Sequence, residues 1–321
     1  MTFKKNSKGI LMFAHNNDEI DYFKLAVLNA LLIQKHCKLK KDQIAVVTDQ
    51  ASYDWACKEL GKRFINKAVK HLIFVEKDRQ FKYSNIRVYK DTSLTPKELS
   101  FYNRDRCDAY DLSPFEETIL IDADYMILSN KLNDCWGHNN DLMMSWDYKD
   151  ICVDRELPSL HRISPLGITM YWATVVYFKK TEYVETFFNF VKHTRDNRDY
   201  YRDLYKLPGS IYRNDFSFSI GVHMISGLQD KGKPELPFKL YKSFDTDDIH
   251  SVESDNSIVL YLEKQRSPGD FILTKWTGVD LHIMNKWAIN RITRKFFDYV
   301  TTTTTATKTR KRKTKKATST G

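Results

Sequence analysis

The sequence has few cysteines and no long hydrophobic segment. Its five cysteines are widely spaced and form no Cys-x-x-Cys pair, so we expect reduced thiols and neither a disulfide framework nor a zinc site. No apolar run approaches the roughly 20 residues of a membrane-spanning helix. The apolar stretch nearest the N-terminus, residues 10–14, is too short for the core of a signal peptide. We therefore expect an intracellular, cytoplasmic protein without a membrane span.

The composition is that of a folded protein with a charged end. Of the 321 residues, 42% are hydrophobic and 29% are charged, which allows a substantial core. The net charge is +10, but seven positive charges lie within residues 308–316, so the rest of the chain carries only +3. Residues 301–321 contain five consecutive threonines and this basic cluster, and they are predicted to form a disordered tail. Such a tail is either a solvated segment or a contact for DNA and other polyanions.

The first third of the chain alternates predicted strands and helices. Apolar runs at residues 9–14, 43–48 and 71–75 predict buried strands, and the residues at about 19–37 and 51–61 predict helices between them. This alternation predicts an α/β fold with a parallel sheet and helices on its faces. Ligands of such sheets bind beyond the carboxyl ends of the strands.

Polar side chains follow these strands at the points where they end. His15 and Asn16 follow the first strand, and Asp49 follows the second. Asp122 and Asp124 come after a further apolar run, residues 118–121. We expect all of these side chains to point into one cleft.

The two aspartates are spaced i and i+2 at the end of this buried strand. On a strand Asp122 and Asp124 would point the same way, about 7 Å apart. At an effective dielectric constant of about 20 their charges would repel by about 2 kcal/mol. Mg²⁺ or Mn²⁺ would relieve this repulsion, because both prefer oxygen ligands. The alternative is that the aspartates are solvated in a turn after the strand.

The remaining elements are less regular. A helix predicted at about residues 98–111 carries Arg104 and Arg106 and leads into the strand before Asp122, whereas residues 77–97 are expected to be irregular. Further strands and helices are predicted at residues 169–178 (strand), about 181–195 (helix), 214–226 (helix) and 259–262 (strand).

An apolar strand followed by Asp-x-Asp, after roughly 120 residues of β/α units, resembles the GT-A nucleotide-sugar glycosyltransferases. The chain most resembles the glycogenin-like family 8 and related bacterial and phage-type enzymes. The resemblance implies a Rossmann-like mixed sheet with helices on both faces, in one domain of residues 1–300. Residues 1–128 would form its nucleotide-sugar-binding half, and residues 129–300 its acceptor half and the C-terminal segment that completes the metal site.

A second match to the family is the segment 280–287, in which Lys286 follows His282. The resemblance implies that His282 joins Asp122 and Asp124 as a ligand of Mn²⁺ or Mg²⁺, and that Lys286 holds the diphosphate of the donor. A spacing of four would place His282 and Lys286 on one face of a helical turn. The alternative for His282 is an ordinary core or surface histidine.

The resemblance also implies the donor-binding residues. The end of the first strand would touch the base and ribose of an NDP-sugar, most simply a UDP-sugar. Asp49 would read the base, or it is a turn residue after its strand. Arg104 or Arg106 would meet the donor. The candidates for donor binding are Ala14, His15, Asn16, Asp49, Arg104, Arg106 and Lys286.

The candidate catalytic residues are Asp215 and Asp147. The pair Asn214-Asp215 stands roughly where the family has Asp-Gln, which implies that Asp215 faces the sugar or the reacting carbon. Asp215 could also begin a helix as its cap. Asp147 is a further carboxylate after the apolar residues 143–144. Residues 172–174 depart from the Asn-Ser-Gly of the family. Transfer with retention of the anomeric configuration is implied by the family alone.

The sequence leaves several functions open. The acceptor could be a glycan, a protein or a nucleic acid, including modified DNA bases. A nucleotidyltransferase would share the sheet and the metal but usually has a Gly-rich basic loop after the first strand, and residues 15–17 are not such a loop. A non-enzymatic nucleic-acid-binding protein, bound through residues 308–316, is the remaining alternative.

Overall fold

The computed structural model of the chain describes residues 7–76, 86–90, 96–153, 155, 161–164, 167–208, 212–229, 235–265 and 267–300. The basic tail, residues 301–321, lies outside these ranges, so its predicted disorder stays a prediction.

The described residues form fifteen strands and eight α-helices. The strands are β1 (Lys8–Phe13), β2 (Ile44–Thr48), β3 (His71–Phe74), β4 (Ile86–Lys90), β5 (Pro96–Ser100), β6 (Glu117–Asp122), β7 (Tyr125–Met126), β8 (Leu142–Ser145), β9 (Tyr148–Asp150), β10 (Trp172–Lys179), β11 (Leu240–Lys242), β12 (Asp248–Val252), β13 (Ser257–Glu263), β14 (Phe271–Thr277) and β15 (Leu281–His282). The helices are α1 (Tyr22–His36), α2 (Gln50–Leu60), α3 (Lys62–Ala68), α4 (Ala109–Leu112), α5 (Glu182–Asp196), α6 (Arg198–Tyr205), α7 (Asn214–Ile225) and α8 (residues 286–300).

The central sheet has six strands in the order β3-β2-β1-β6-β10-β8. The first four are parallel, and β10 runs antiparallel to both of its neighbours. Alternate residues of β1 face opposite sides, so Ile10 and Met12 enter one hydrophobic cluster while Leu11 and Phe13 enter the other. The first cluster includes residues of α1 and α8, and the second includes residues of α5 and α7. The predicted α/β fold, with a mixed sheet and helices on both faces, is confirmed.

Side-chain caps fix where the first two helices begin. Asp21 accepts a hydrogen bond from the Lys24 backbone N at 2.8 Å, so α1 begins at residue 22 and not at about 19 as expected. The Asn17 side chain accepts from the backbone N of Ile20 at 2.8 Å and holds the preceding residues in a turn. Asp49 caps α2 through the Ser52 backbone N at 2.8 Å.

The helix predicted at residues 98–111 is wrong in its first part. Residues 96–100 form β5, which pairs with β4 in an antiparallel hairpin, so the segment expected to be irregular also contains strand residues. Asn103–Asp108 is a 3₁₀ helix that leads into α4. Pairing of residues 96–100 with β4 explains the strand, because such a contact overrides helix propensity. Arg106, in the 3₁₀ helix that follows, is buried against Asp122. Helices α3, α6 and α8 were not predicted.

A second, four-stranded sheet has the order β7-β15-β11-β9. Its strand β15 pairs antiparallel with β7, and His282 lies opposite Tyr125. The backbone N of Ile283 also donates to the carbonyl of Asp124 at 3.1 Å. This pairing brings a residue near the end of the chain to the aspartates that follow β6. The remaining strands form a third sheet, β12-β13-β14.

Two further predictions concern the cysteines and the membrane. All five cysteines are free, as expected. Burial raises the pKa of the Cys37, Cys107 and Cys135 thiols to about 12, so these thiols are unreactive. Within the described ranges, no helix has the length and apolar character that a membrane crossing requires.

Candidate functional site

The structure brings Asp122, Asp124 and His282 together at the carboxyl end of β6. One ligand atom from each of the three lies within 4.8 Å of the others. His282 Nε2 is 3.3 Å from Asp124 Oδ1 and 3.8 Å from Asp122 Oδ2. Asp122 is the last residue of β6, whereas Asp124 lies in the turn before β7. The carboxylates therefore converge through a turn rather than along one strand.

Two cationic side chains neutralise these carboxylates. The Arg106 guanidinium forms an ion pair with Asp122 and donates to the carbonyl of Ala173. Lys286 pairs with Asp124, and its Nζ donates to the carbonyl of Ile283 at 2.7 Å. Each aspartate thus has its own counter-charge.

The helical turn expected for His282 and Lys286 is not present. His282 ends β15, and Lys286 is the first residue of α8. The three intervening residues form a connection that places both side chains beside Asp124. The expected convergence is present, although its backbone geometry differs from a helix.

The two carboxyl groups differ in their pKa. Burial raises the pKa of Asp122 above its ordinary value, since the Arg106 charge offsets it only in part and Asp124 adds repulsion. Burial acts in the same direction on Asp124, but Lys286 and His282 outweigh it and hold the pKa of Asp124 well below its ordinary value. Asp124 is therefore the firmly ionised member of the pair.

Two hydroxyl groups contact Nδ1 of His282, the ring nitrogen that does not face the aspartates. This nitrogen lies 2.6 Å from the Tyr148 hydroxyl and 3.3 Å from the Thr174 hydroxyl. The ring of Tyr148 stacks on Trp172 with 4.2 Å between centroids and an interplanar angle of 18°. Burial raises the pKa of Tyr148 well above its ordinary value, so its phenol remains protonated.

An open cleft of about 560 Å³ is lined by the three candidate ligands and their two counter-charges, Asp122, Asp124, His282, Arg106 and Lys286. Its volume is within the usual range for small-molecule sites of roughly 300–1,000 Å³. One part of its wall is charged and the other is aromatic or apolar. The charged and polar lining includes Asn103, Arg106, Asp122, Asp124, Thr174, Arg213, Asn214, Asp215, Asp245, His282 and Lys286. The aromatic and apolar lining includes Phe13, Tyr22, Phe101, Trp172, Phe216 and Met284.

Four predicted donor-binding residues lie at the strand ends but do not line this cleft. Ala14 is fully buried. His15 holds Asn103, which does line the cleft, through its backbone N at 2.9 Å. Asn16 donates to Asp21 at 2.9 Å and accepts from the backbone N of Phe23 at 2.9 Å. Asp49 caps α2.

Of the two candidate arginines, Arg106 lines the cleft and Arg104 does not. Arg104 is 5% exposed, and its guanidinium lies over the ring of Tyr212 at 5.0 Å from the centroid. Lys286 lines the cleft beside Asp124.

The two candidate catalytic aspartates are placed differently. Asp215 lines the cleft, accepts from the Ala173 backbone N at 3.0 Å and forms an ion pair with Arg213 at 2.8 Å. Asp147 is not among the lining residues and forms ion pairs with Lys149 and Lys239. These lysines lower the pKa of Asp147 against the effect of burial.

Sequence reasoning missed several residues in and behind the cleft. Arg213 and Asp245, which line the cleft, and Tyr148, which contacts His282 from behind it, were not candidates. Trp172 was noted only as a departure from the family pattern. The Arg213 guanidinium lies 5.7 Å from the Trp172 ring centroid. None of these residues belongs to a short motif, so only the fold reveals that they meet.

No protein-family model matches the chain, and no curated protein matches it. Among solved structures it is similar to the galactosyltransferase LgtC in complex with donor and acceptor sugar analogs, with 13% identity, a TM-score of 0.40, and coverage of 67% of this chain and 70% of that one. It is similar to mouse xyloside xylosyltransferase 1 in its apo form, with 14% identity, a TM-score of 0.40, and coverage of 68% and 82%. It is also similar to a Bacillus anthracis protein named as a glucose-1-phosphate thymidylyltransferase, with 9% identity, a TM-score of 0.34, and coverage of 71% and 97%. Likenesses at this level do not identify a function.

Proposed function

We propose that the protein is a metal-dependent glycosyltransferase that moves a sugar from an NDP-sugar to an acceptor hydroxyl. The observation that supports this most is the meeting of Asp122, Asp124 and His282 within 4.8 Å, beside Lys286 and Arg106 in one cleft. The resemblance of the Asp-x-Asp strand and the His282/Lys286 segment to family 8 adds a UDP-sugar donor and retention to the proposal.

The donor set fits a divalent cation. Two carboxylates and one imidazole are ligand types that suit Mn²⁺ and, through their oxygens, Mg²⁺. Asp122 and Asp124 are two residues apart, and the pairing of β15 with β7 brings His282 to them from a distant part of the chain. A cation bound there would supply positive charge to the two phosphates of the donor.

The chain's own residues would perform three tasks in the reaction. Lys286 and Arg106 add positive charge at the cleft, where charge develops on the leaving diphosphate. Trp172 and Phe216 offer flat apolar surfaces to a sugar or base. Asp215, fixed between Arg213 and the Ala173 backbone N, is placed to orient the sugar or the acceptor. No separate general base is needed if the leaving phosphate accepts the acceptor proton.

The proposal is tested with a panel of NDP-sugars and Mn²⁺ or Mg²⁺, using common glycans, proteins and hydroxymethylated DNA as acceptors. We expect mass spectrometry to detect a glycosylated acceptor and the nucleoside diphosphate for at least one donor, and EDTA to abolish both. Absence of any nucleoside diphosphate across the panel would overturn the proposal. Pyrophosphate release from an NTP and a sugar 1-phosphate would indicate a nucleotidyltransferase instead.

A variant that lacks residues 301–321 tests the nucleic-acid-binding alternative. If the protein is an enzyme built around the cleft, this deletion leaves donor hydrolysis intact. If the tail alone carries the function, the deletion abolishes DNA binding at low salt and no donor is consumed by either form.

A further inference from the structure

The two nitrogens of the His282 ring contact groups with different hydrogen-bonding capacities. Nε2 lies 3.3 Å from an oxygen of Asp124, and an ionised carboxylate only accepts hydrogen bonds. Nδ1 lies 2.6 Å from the hydroxyl of Tyr148 and 3.3 Å from that of Thr174, and hydroxyls both donate and accept.

These contacts determine the tautomer of a neutral ring when no cation is bound. Because Asp124 can only accept, the proton resides on Nε2, and Nδ1 accepts a hydrogen bond from the Tyr148 hydroxyl. A cation bound by Nε2 needs the lone pair of that nitrogen, so the ring proton must then reside on Nδ1. In its hydrogen bond with Nδ1, the Tyr148 hydroxyl would then have to change from donor to acceptor.

Few side chains could serve both states. A carboxylate opposite Nδ1 would accept in one state but could not donate in the other, and a lysine would donate but could not accept. The Tyr148 and Thr174 hydroxyls do both. Both residues are at most 2% exposed, and the stack of Tyr148 on Trp172 at 4.2 Å keeps the phenol in place.

We propose that Tyr148, assisted by Thr174, is a positioning residue that holds the His282 ring in either tautomer and so allows Nε2 to bind a divalent cation. This inference depends on the metal site of the proposed function. Tyr148 itself contacts neither the donor nor the cation, and it acts through His282.

The first test is Mn²⁺ binding by isothermal titration calorimetry, without donor or acceptor. Residues that support a metal-ligating histidine typically contribute about 10- to 100-fold in metal affinity. We expect Tyr148→Phe to weaken Mn²⁺ binding by about this factor while circular dichroism and the melting temperature show a folded protein. Thr174→Val should give a smaller loss, because its hydroxyl is farther from Nδ1 than that of Tyr148.

Tyr177→Phe is the matched control. Tyr177 is also fully buried, and its hydroxyl donates to Glu117 at 3.0 Å. Tyr177→Phe also removes a tyrosine hydrogen bond, a partly buried one away from Asp122, Asp124 and His282, so its Mn²⁺ affinity should equal that of the wild type. Equal losses in Tyr148→Phe and Tyr177→Phe would indicate a general structural effect and would overturn the proposal.

The second test is ¹⁵N NMR of histidine-labelled protein, with Zn²⁺ as a diamagnetic cation that imidazole binds well and His282→Gln to assign the signals. We expect His282 to change from the Nε2–H tautomer to the Nδ1–H tautomer when Zn²⁺ is added. An unchanged tautomer in Zn²⁺-bound protein, or an unchanged Mn²⁺ affinity in Tyr148→Phe, would overturn the positioning role alone. If the wild type bound neither cation, both this inference and the metal-dependent function would fail.

Discussion

At the scale of single residues, Lys286 has two competing roles. It neutralises Asp124 in the structure, and it is also the cation expected to hold the donor diphosphate. A divalent ion at the proposed site would share Asp124 with Lys286, because both positive charges would face the same carboxylate. Under the proposed function, Lys286 would therefore oppose binding of the metal alone and favour binding of the metal with its donor.

Replacing Lys286 by Gln should separate these roles. We expect the Kd for Mn²⁺ alone to fall several-fold, since a competing positive charge is removed, and the KM for the NDP-sugar to rise at least tenfold. Calorimetry measures the first quantity and initial rates the second. Lys149→Gln is the control, because Lys149 pairs with Asp147 outside the cleft lining. Weaker Mn²⁺ binding in Lys286→Gln would contradict the competition.

Asp215 and Asp147 were both candidates for catalysis, and only Asp215 lines the cleft. Asp215→Asn keeps an oxygen that can accept from the Ala173 backbone N but removes the charge beside Arg213. We expect kcat to fall about 100-fold, as for loss of a positioned catalytic group, with little change in Mn²⁺ affinity. Asp147→Asn should leave kcat within twofold of the wild type. A larger loss of kcat in Asp147→Asn than in Asp215→Asn would indicate that Asp147 is the residue that takes part in the reaction.

The convergence of Asp122, Asp124, His282 and Lys286 was predictable from the sequence. The two aspartates follow a buried strand, and His282 and Lys286 match a pattern of the family. Tyr148 and the other missed residues have side chains that are common in any core or surface. Their positions in and behind the cleft result from contacts between distant parts of the chain, which short-range patterns do not encode.

At the scale of elements, the alternating strands and helices of the first third of the chain were predicted well, whereas α8 and β14 were not predicted despite their length. The strands β1, β2, β3 and β6 and the helices α1 and α2 lie within a few residues of their predicted positions. The failure at residues 98–111 has a physical reason, because residues 96–100 pair with β4 and so cannot continue the helix. Helix α6 is only eight residues long and has one buried residue, Tyr201, so its pattern is too short to be recognised as a helix of the core.

The N-terminus of α2 offers a test of Asp49. Its side chain accepts from the Ser52 backbone N at 2.8 Å and from the Ser52 hydroxyl at 2.9 Å. We expect Asp49→Ala to lower the free energy of unfolding by about 1 kcal/mol, as for loss of a helix cap, and to leave the donor KM unchanged. Urea unfolding measures the free energy of unfolding, and initial rates measure the donor KM. Asp49→Asn should retain most of the cap, and a raised donor KM in both variants would indicate base recognition instead.

The last turn of α1 contains a histidine that should make stability depend on pH. Burial, reinforced by Lys35 and Lys38, lowers the pKa of His36 from 6.5 to about 4. As the pH falls from about 6.5 to 4, the unfolded chain binds a proton that the folded chain does not, so stability decreases in this window. The full pKa shift of His36 would correspond to about 3 kcal/mol in the free energy of unfolding. Solvent screening at this partly exposed ring reduces the expected loss to on the order of 1 kcal/mol.

His36→Asn isolates this effect from the carboxyl groups that titrate in the same range. Urea unfolding of both proteins at pH 7, 6, 5 and 4 gives the difference in their free energies of unfolding. We expect the wild type to lose about 1 kcal/mol more than the variant between pH 7 and pH 4. Parallel pH profiles would show that the ring is not held neutral in the folded protein.

At the scale of the whole molecule, the fold explains how distant parts of the sequence reach one site. Parallel strands place the end of β6 at one edge of the central sheet, and the second sheet carries His282 to it from 158 residues farther along the chain than Asp124. The α/β class and the expectation of a cleft at this edge followed from the alternation of strands and helices. The pairing of β15 with β7 did not, because two-residue strands leave almost no signal in a sequence.

The most direct measurement compares wild-type protein with Asp124→Asn for Mn²⁺-dependent release of nucleoside diphosphate across the NDP-sugar panel. Asn is similar in size to Asp but lacks the charge that the metal requires. We predict that the wild type releases nucleoside diphosphate from at least one donor and that EDTA abolishes this release. In Asp124→Asn the release should be at least 100-fold lower, with both proteins equally folded by circular dichroism. Equal release by both proteins, or release that persists in EDTA, would contradict a metal-dependent transfer centred on Asp122, Asp124 and His282.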